Sequence, residues 1–183
     1  MPPILHVMRH GQGFHSADVE LLLASPLRRA IQTCLLSFEP CIARGLRIIA
    51  VPHAEEVSEN PSDTGSPAEV LRKEFGDDVV DFDALKHGWY EHVGEFAIDA
   101  AAVNSRAKKL RRWIKARPEK EVVLVSHGFF NHFLTGDVDD KGEQTTPWWE
   151  ETELRTYTFS EEDDELAMIY ETEGSLPALR GKK

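Results

Sequence analysis

A chain of 183 residues, 41% of them hydrophobic, has the material for one folded domain with a real core, expected to span residues 1–183. Its formal net charge of -11 argues against nucleic acid or an acidic membrane surface as a partner. The apolar runs are too short to cross a bilayer, the first residues carry no secretory pattern, and two cysteines, Cys34 and Cys41, make neither a disulfide framework nor a zinc site, so a soluble cytoplasmic protein is expected.

Taken in chain order, residues 4–8 read as a buried strand that stops on Arg9, His10 and Gly11. Residues 9–18 form a polar loop, and 19–24 a second buried strand closed by Ser25-Pro26. A helix from Pro26 to about Phe38 follows, with Leu27, Ala30, Ile31, Cys34 and Leu35 on one face. Residues 46–51 are a third strand, and 52–66 a long loop of the kind that is either functional or disordered. Ser66-Pro67-Ala68-Glu69 reads as a capping box that opens a helix to Phe75. Residues 76–95 look like a lid or a substrate-facing segment. The clearest helix runs from Phe96 to Arg117, with Ala100, Val103, Ala107, Leu110 and Ile114 on its apolar face and Arg106, Lys108, Lys109, Arg111, Arg112 and Lys115 expected in water. A fourth strand, 121–125, ends on Ser126-His127-Gly128 and leads into a helix over 129–134. Residues 153–159 and 166–171 alternate and suggest a hairpin at the sheet edge, with Trp148 and Trp149 as its packing. The fold class is therefore α/β, a mostly parallel central sheet flanked by helices with a C-terminal edge hairpin.

Two of these strands end alike, in Arg9-His10-Gly11 and Ser126-His127-Gly128, and a third ends in a serine–proline turn with Arg28 and Arg29 behind it. Strand ends of one parallel sheet share a rim, and ligands of open α/β sheets collect there. Arg9, His10, Arg29 and His127 are thus expected around one small anion. Arginine suits the planar oxygen pairs of phosphate, and an imidazole nitrogen among such cations is equipped for phosphoryl transfer. Asp63-Thr64-Gly65-Ser66 reads as a turn with an Asx bond. His6 is expected to be a satisfied core histidine, and His53, His87 and His92 lack a trustworthy metal-ligand spacing.

Arg9-His10-Gly11, Ser25-Pro26-Leu27-Arg28-Arg29-Ala30-Ile31-Gln32-Thr33 and Val125-Ser126-His127-Gly128, in that order, resemble the histidine phosphatase superfamily, the phosphoglycerate-mutase-like proteins. The loop from Glu55 to Ser66 and the tail from Trp149 to Phe159 are similar to its small phosphatase-like members. The resemblance implies a metal-independent phosphomonoesterase without a cofactor, acting on a small phosphorylated substrate. His10 would be the nucleophile that forms a phosphohistidine. Arg9, Arg29 and His127 would hold the phosphoryl oxygens and supply the countercharge. Glu56, or less favourably Glu55, would protonate the leaving oxygen and later activate water. Gln12, His15, Ser16 and Glu55 stand as substrate contacts. A phosphoglycerate-type mutase, or a weakly active phosphate-binding regulatory protein, is the alternative.

The chain departs from the family at two places. Ser16 stands where the family usually has asparagine, and only residues 9–18 occupy the place of a loop and a full helix. Ten extended residues reach roughly 33 Å, and the return along a six-residue strand takes roughly 20 Å. The connection is feasible but stretched, and an apolar sheet face is expected to lose its covering helix. Such a face favours a homodimer, another partner, or low stability.

Overall fold

The computed structural model describes residues 1–10, 18–161 and 165–175. A seven-stranded sheet forms its centre. The strands are β1 (Ile4–Arg9), β2 (Leu21–Ala24), β3 (Ile48–Ala50), β4 (Val80–Asp81), β5 (Glu121–Ser126), β6 (Leu154–Phe159) and β7 (Ile169–Glu171), in the spatial order β4-β3-β2-β5-β1-β6-β7. The first five are parallel, while β6 and β7 run antiparallel at one edge and make the expected hairpin. The short β4 had no distinct signal in the sequence, because two residues carry no period.

The helices are α1 (Arg28–Ser37), α2 (Glu39–Ala43), α3 (Ala68–Phe75), α4 (Ala100–Lys115) and α5 (Gly128–Thr135). Pleating divides the core into two layers. Leu5, Val7, Leu23, Val122 and Leu124 point to the side where Val103, Ala107, Leu110 and Ile114 of α4 pack. Met8, Leu22, Ala24, Val123 and Val125 point to the opposite side, under Ala30, Ile31 and Cys34 of α1. Each large aliphatic side chain buried in this way stabilises the fold by about 1.5–3 kcal/mol.

Several boundaries and faces differ from expectation, each for a local reason. Asp99 caps α4 by accepting from the amide of Ala102 at 3.1 Å, so the helix starts there and Phe96 belongs to a preceding 3-10 turn. The capping box at Ser66 does not form, since Ser66 Oγ instead accepts from Arg28 at 2.8 Å. Arg106 and Arg111 do not face water; they are 1% and 5% exposed, with their guanidinium groups spent on backbone carbonyls. His6 lies on the sheet face away from α4, bonded to Thr156 Oγ1 at 3.0 Å and Glu121 at 2.7 Å. Trp149 is buried beneath Arg155 of β6, whereas Trp148 is 47% exposed and stacks on Phe129 of α5 rather than on the hairpin.

Register brings the strand ends level. Arg9 pairs with Ser126, and Ala24 with Val125. The carboxyl ends of β1, β5 and β2 therefore lie side by side on one rim, with β5 in the middle, and the residues just past them converge.

Candidate active site

His10 follows β1, its amide bonded to the Ser126 carbonyl at 3.1 Å. His127 follows β5 and is wholly buried. The two imidazoles lie 5.5 Å apart between ring centres, tilted by 58°. Arg29, in the first turn of α1, bridges them: its Nε donates to His10 Nε2 at 3.1 Å and its Nη2 donates to His127 Nδ1 at 3.0 Å. A guanidinium has only hydrogens to give, so both ring nitrogens accept. His127 Nε2 then donates to Ser25 Oγ at 2.7 Å, in the turn that ends β2. Arg9 donates to the Trp149 carbonyl and lies 3.7 Å from Glu151. Gly128 gives it room, because a Cβ there would sit 3.3 Å from Arg9 Nε and from the Trp148 ring.

The electrostatics follow from burial among arginines. Desolvation, then Arg29 and Arg9, lower His10 from 6.5 to about 4. The same causes, desolvation first, hold His127 well below the ordinary histidine value. His127 is therefore held as a neutral imidazole that accepts from Arg29 and donates to Ser25, with Arg9 and Arg29 as the cations around it.

The two glutamates differ sharply in environment. Glu56 Oε1 accepts from the amides of Val57 and Phe130, both at 2.9 Å, and Oε2 from Phe129 at 3.3 Å. Its carboxyl is thereby fastened to the first turn of α5, directly after His127. Burial raises its pKa while these amides oppose the shift. Glu55 is fully buried, and neither oxygen has a well-formed hydrogen bond. His92 Nε2 lies 3.4 Å away, and the amide of Gly65 faces the carboxyl as well. Desolvation raises Glu55 to about 8 against the pull of Arg106, so it is a neutral acid at neutral pH.

The sequence profile of the histidine phosphatase superfamily (branch 1) matches residues 5–171. The chain belongs to the histidine phosphatase superfamily. No curated protein matches it in sequence. Its fold is similar to that of a mycobacterial glucosyl-3-phosphoglycerate phosphatase, with a TM-score of 0.58 and 17% identity over 93% of this chain and 97% of the other. YhfR of Bacillus stearothermophilus superposes with a TM-score of 0.58 and 13% identity over 95% and 98% of the two chains. For the alpha-ribazole phosphatase of Shigella flexneri the values are 0.55 and 13%, over 92% and 94%. Identities this low show the fold alone. Hydrolysis of phosphate esters is the activity that the family description and the two phosphatase names share. No described helix of this histidine phosphatase homologue is long and apolar enough to cross a membrane. Among its described residues, no three His, Cys, Asp or Glu side chains cluster as metal ligands would.

Of the residues singled out from sequence, His10, Arg29, His127, Arg9 and Glu56 meet on this rim, and Glu55 lies behind it. Gln12, His15 and Ser16 lie outside the described residues. The sequence reading missed three contributors. Asp63 makes no Asx turn; its Oδ1 lies 2.6 Å from Arg29 Nη2 and its Oδ2 accepts from Ser58 Oγ at 2.5 Å. Ser25 orients His127, and its place in the Ser25-Pro26 turn behind a strand was the available signal. Arg106, one helical turn from Val103 and Leu110, carries the carbonyls of His53, Glu55 and Glu56 at 3.3, 2.7 and 3.4 Å. Nothing in a helical period distinguishes a buried arginine from its solvated neighbours. The segment 76–95 is no open lid: Trp89 within it is buried and donates to the Ser66 carbonyl at 3.1 Å. His92, also within it, adopts a positive φ of 52° that sets its ring beside Glu55.

Proposed function

We propose that this chain is a phosphomonoesterase that works through a phosphohistidine on His10. The observation that carries the reading is the Arg29 bridge, which turns His10 Nε2 and His127 Nδ1 toward one guanidinium, with Arg9 beside His10 at the end of β1. A phosphoryl group bound there has its oxygens neutralised by Arg29 and Arg9. His10 is unprotonated above about pH 4, and once the phosphoryl oxygens take over the Arg29 N–H that it accepts in this structure, its Nε2 lone pair can attack phosphorus. As the new P–N bond forms, the P–O bond to the leaving alcohol breaks. Glu56 hands that oxygen its proton. A water molecule then attacks the phosphohistidine, Glu56 takes a proton from the water, the P–N bond breaks and inorganic phosphate departs. The negative charge of the bound phosphoryl group draws a proton onto His127, which then donates from Nδ1. Arg9, Arg29 and the protonated His127 carry the countercharge in this scheme, so activity does not depend on a divalent metal. The cytoplasm, where free thiols such as Cys34 and Cys41 persist, is the compartment assigned to it.

Hydrolysis of p-nitrophenyl phosphate in the presence of EDTA tests the reading. Turnover is expected to survive the chelator and to disappear in His10→Ala. Glu56→Gln is expected to slow release of a poor leaving group such as an alkyl alcohol by about 10²–10⁴-fold, and that of p-nitrophenol far less. Absence of turnover, with inorganic phosphate still raising the melting temperature, would identify a phosphate-binding protein instead.

A further inference from the structure

We infer that Asp63 is a specificity residue, and that the substrates of this site are phosphate monoesters of neutral, hydroxyl-bearing alcohols rather than of alcohols carrying a second anionic group beside the ester. The inference rests on the phosphomonoesterase reading of the same site. Asp63 closes the 3-10 turn Pro61–Asp63 in the long loop after β3. Its carboxylate is pinned from both sides, by Arg29 Nη2 at 2.6 Å and by Ser58 Oγ at 2.5 Å, and its side chain is only 13% exposed. Arg29 Nη1 is also engaged, donating to the Ser62 carbonyl at 2.5 Å. The guanidinium that faces both imidazoles thus already carries one carboxylate. A phosphoryl group has to share that guanidinium with Asp63, and a further anion finds no charge left on it.

The placement matters as much as the charge. Asp63 lies on the same loop as Glu55 and Glu56, and its field reaches both of them as well as His10. If Glu56 protonates the leaving oxygen, the alcohol faces this same loop. A cleft of about 390 Å³ adjoins this point, between the first turn of α1 and residues 61–66. Its lining includes Arg28, Arg29, Gln32, Ser62, Thr64 and Ser66. Both cations are held by carboxylates, Arg28 by Glu74 at 2.7 Å and Arg29 by Asp63. Beside the apolar Pro26, Leu27 and Pro61, the cleft offers a ligand hydroxyl and amide groups, which suit the hydroxyls and carbon frame of a polyol or sugar. A carboxylate or second phosphate held in this cleft, between Ser62 and Thr64 on either side of Asp63, would meet only cations that are already paired among the described lining residues, and a partly desolvated like-charge contact with Asp63 is unfavourable.

Glycerol 3-phosphate and 3-phosphoglycerate share a three-carbon frame and differ in one carboxylate, so the ratio of their kcat/KM values reads this effect. The expected ratio favours glycerol 3-phosphate at least tenfold in the native protein. Asp63→Asn should shrink it about tenfold, whatever it does to the absolute rates through Arg29. Ser58→Ala, which keeps the charge, should preserve it. Inhibition of native p-nitrophenyl phosphate hydrolysis gives the same comparison without a variant, with glycerol 3-phosphate binding at least tenfold more tightly. A native ratio near one, or a ratio that Asp63→Asn leaves unchanged, overturns the inference while p-nitrophenyl phosphate turnover still upholds the phosphatase reading. A protein inert towards p-nitrophenyl phosphate overturns both.

Discussion

His10 and Glu55 show how burial alone redirects chemistry. The same desolvation that keeps the imidazole neutral also keeps one carboxyl neutral, because in each case the charged form loses its water. For His10 the consequence is kinetic. Protonation removes the nucleophile, so kcat/KM should fall on the acid side near pH 4 rather than near the 6.5 of an ordinary histidine. A pH–rate profile on p-nitrophenyl phosphate measures this limb directly. For Glu55 the consequence is thermodynamic. The unfolded carboxyl ionises above 4.5 and the folded one above about 8, so between these values the folded state binds the extra proton. Stability is expected to decline as pH rises through that window and to level off beyond it. Glu55→Gln should flatten the decline, and denaturant unfolding from pH 4.5 to 8.5 should show a difference on the order of a few kcal/mol at the alkaline end. The pairing of Asp63 with Arg29 belongs to the same scale. It is invisible in the string Asp63-Thr64-Gly65-Ser66, because an Asx turn and a pinned counter-ion call for the same residue.

Elements, rather than single residues, hold the rim in place. β5 lies between β1 and β2, and the three end at one level through the Arg9–Ser126 and Ala24–Val125 register. α4 crosses behind them and contributes Arg106, which gathers the carbonyls of His53, Glu55 and Glu56 and lies 4.8 Å over the Phe130 ring. Burial lowers Arg106 to about 10, leaving it charged at neutral pH. Its removal would leave buried carbonyls without a donor. Arg106→Met is expected to lower the unfolding free energy by about 2–4 kcal/mol, with Arg106→Lys costing less because an ammonium keeps the charge. Equilibrium urea denaturation distinguishes them. Gly65 makes a comparable demand at the other end of the loop. A Cβ there would strike the Trp89 ring at 2.2 Å, so the loop and the 76–95 segment can pack only through a glycine.

At the scale of the molecule, the short 9–18 connection raised the expectation of a bare apolar sheet face and a homodimer. The face in question, over β1, β6 and β7 away from α4, presents Ile4, His6, Leu154, Thr156, Thr158 and Tyr170 among the described residues. Its centre is a hydrogen-bonded trio, His6 with Thr156 and Glu121. Ile4 and Tyr170 flank this trio as exposed hydrophobic side chains, the kind of surface that favours association. Sedimentation velocity tests the homodimer: a stable dimer supports it and a well-behaved monomer removes it.

Hydrophobic periodicity and turn residues were sufficient to place four of the five parallel strands, four of the five helices and the edge hairpin, because each side chain there reports on its own local geometry. The same signals put Arg9, His10, Arg29 and His127 at strand ends and a helix start, and hence near one another. Three things were decided only by tertiary packing: the strand order with β5 at the centre, the immersion of Arg106, and the choice between Glu55 and Glu56 for the carboxyl at the helix start. Strand order depends on contacts between residues about a hundred positions apart, and the charge state and orientation of a polar side chain depend on which other elements exclude water from it. Neither quantity is written in the residue's immediate neighbours, so a local reading finds the chemistry of this site but not its electrostatics.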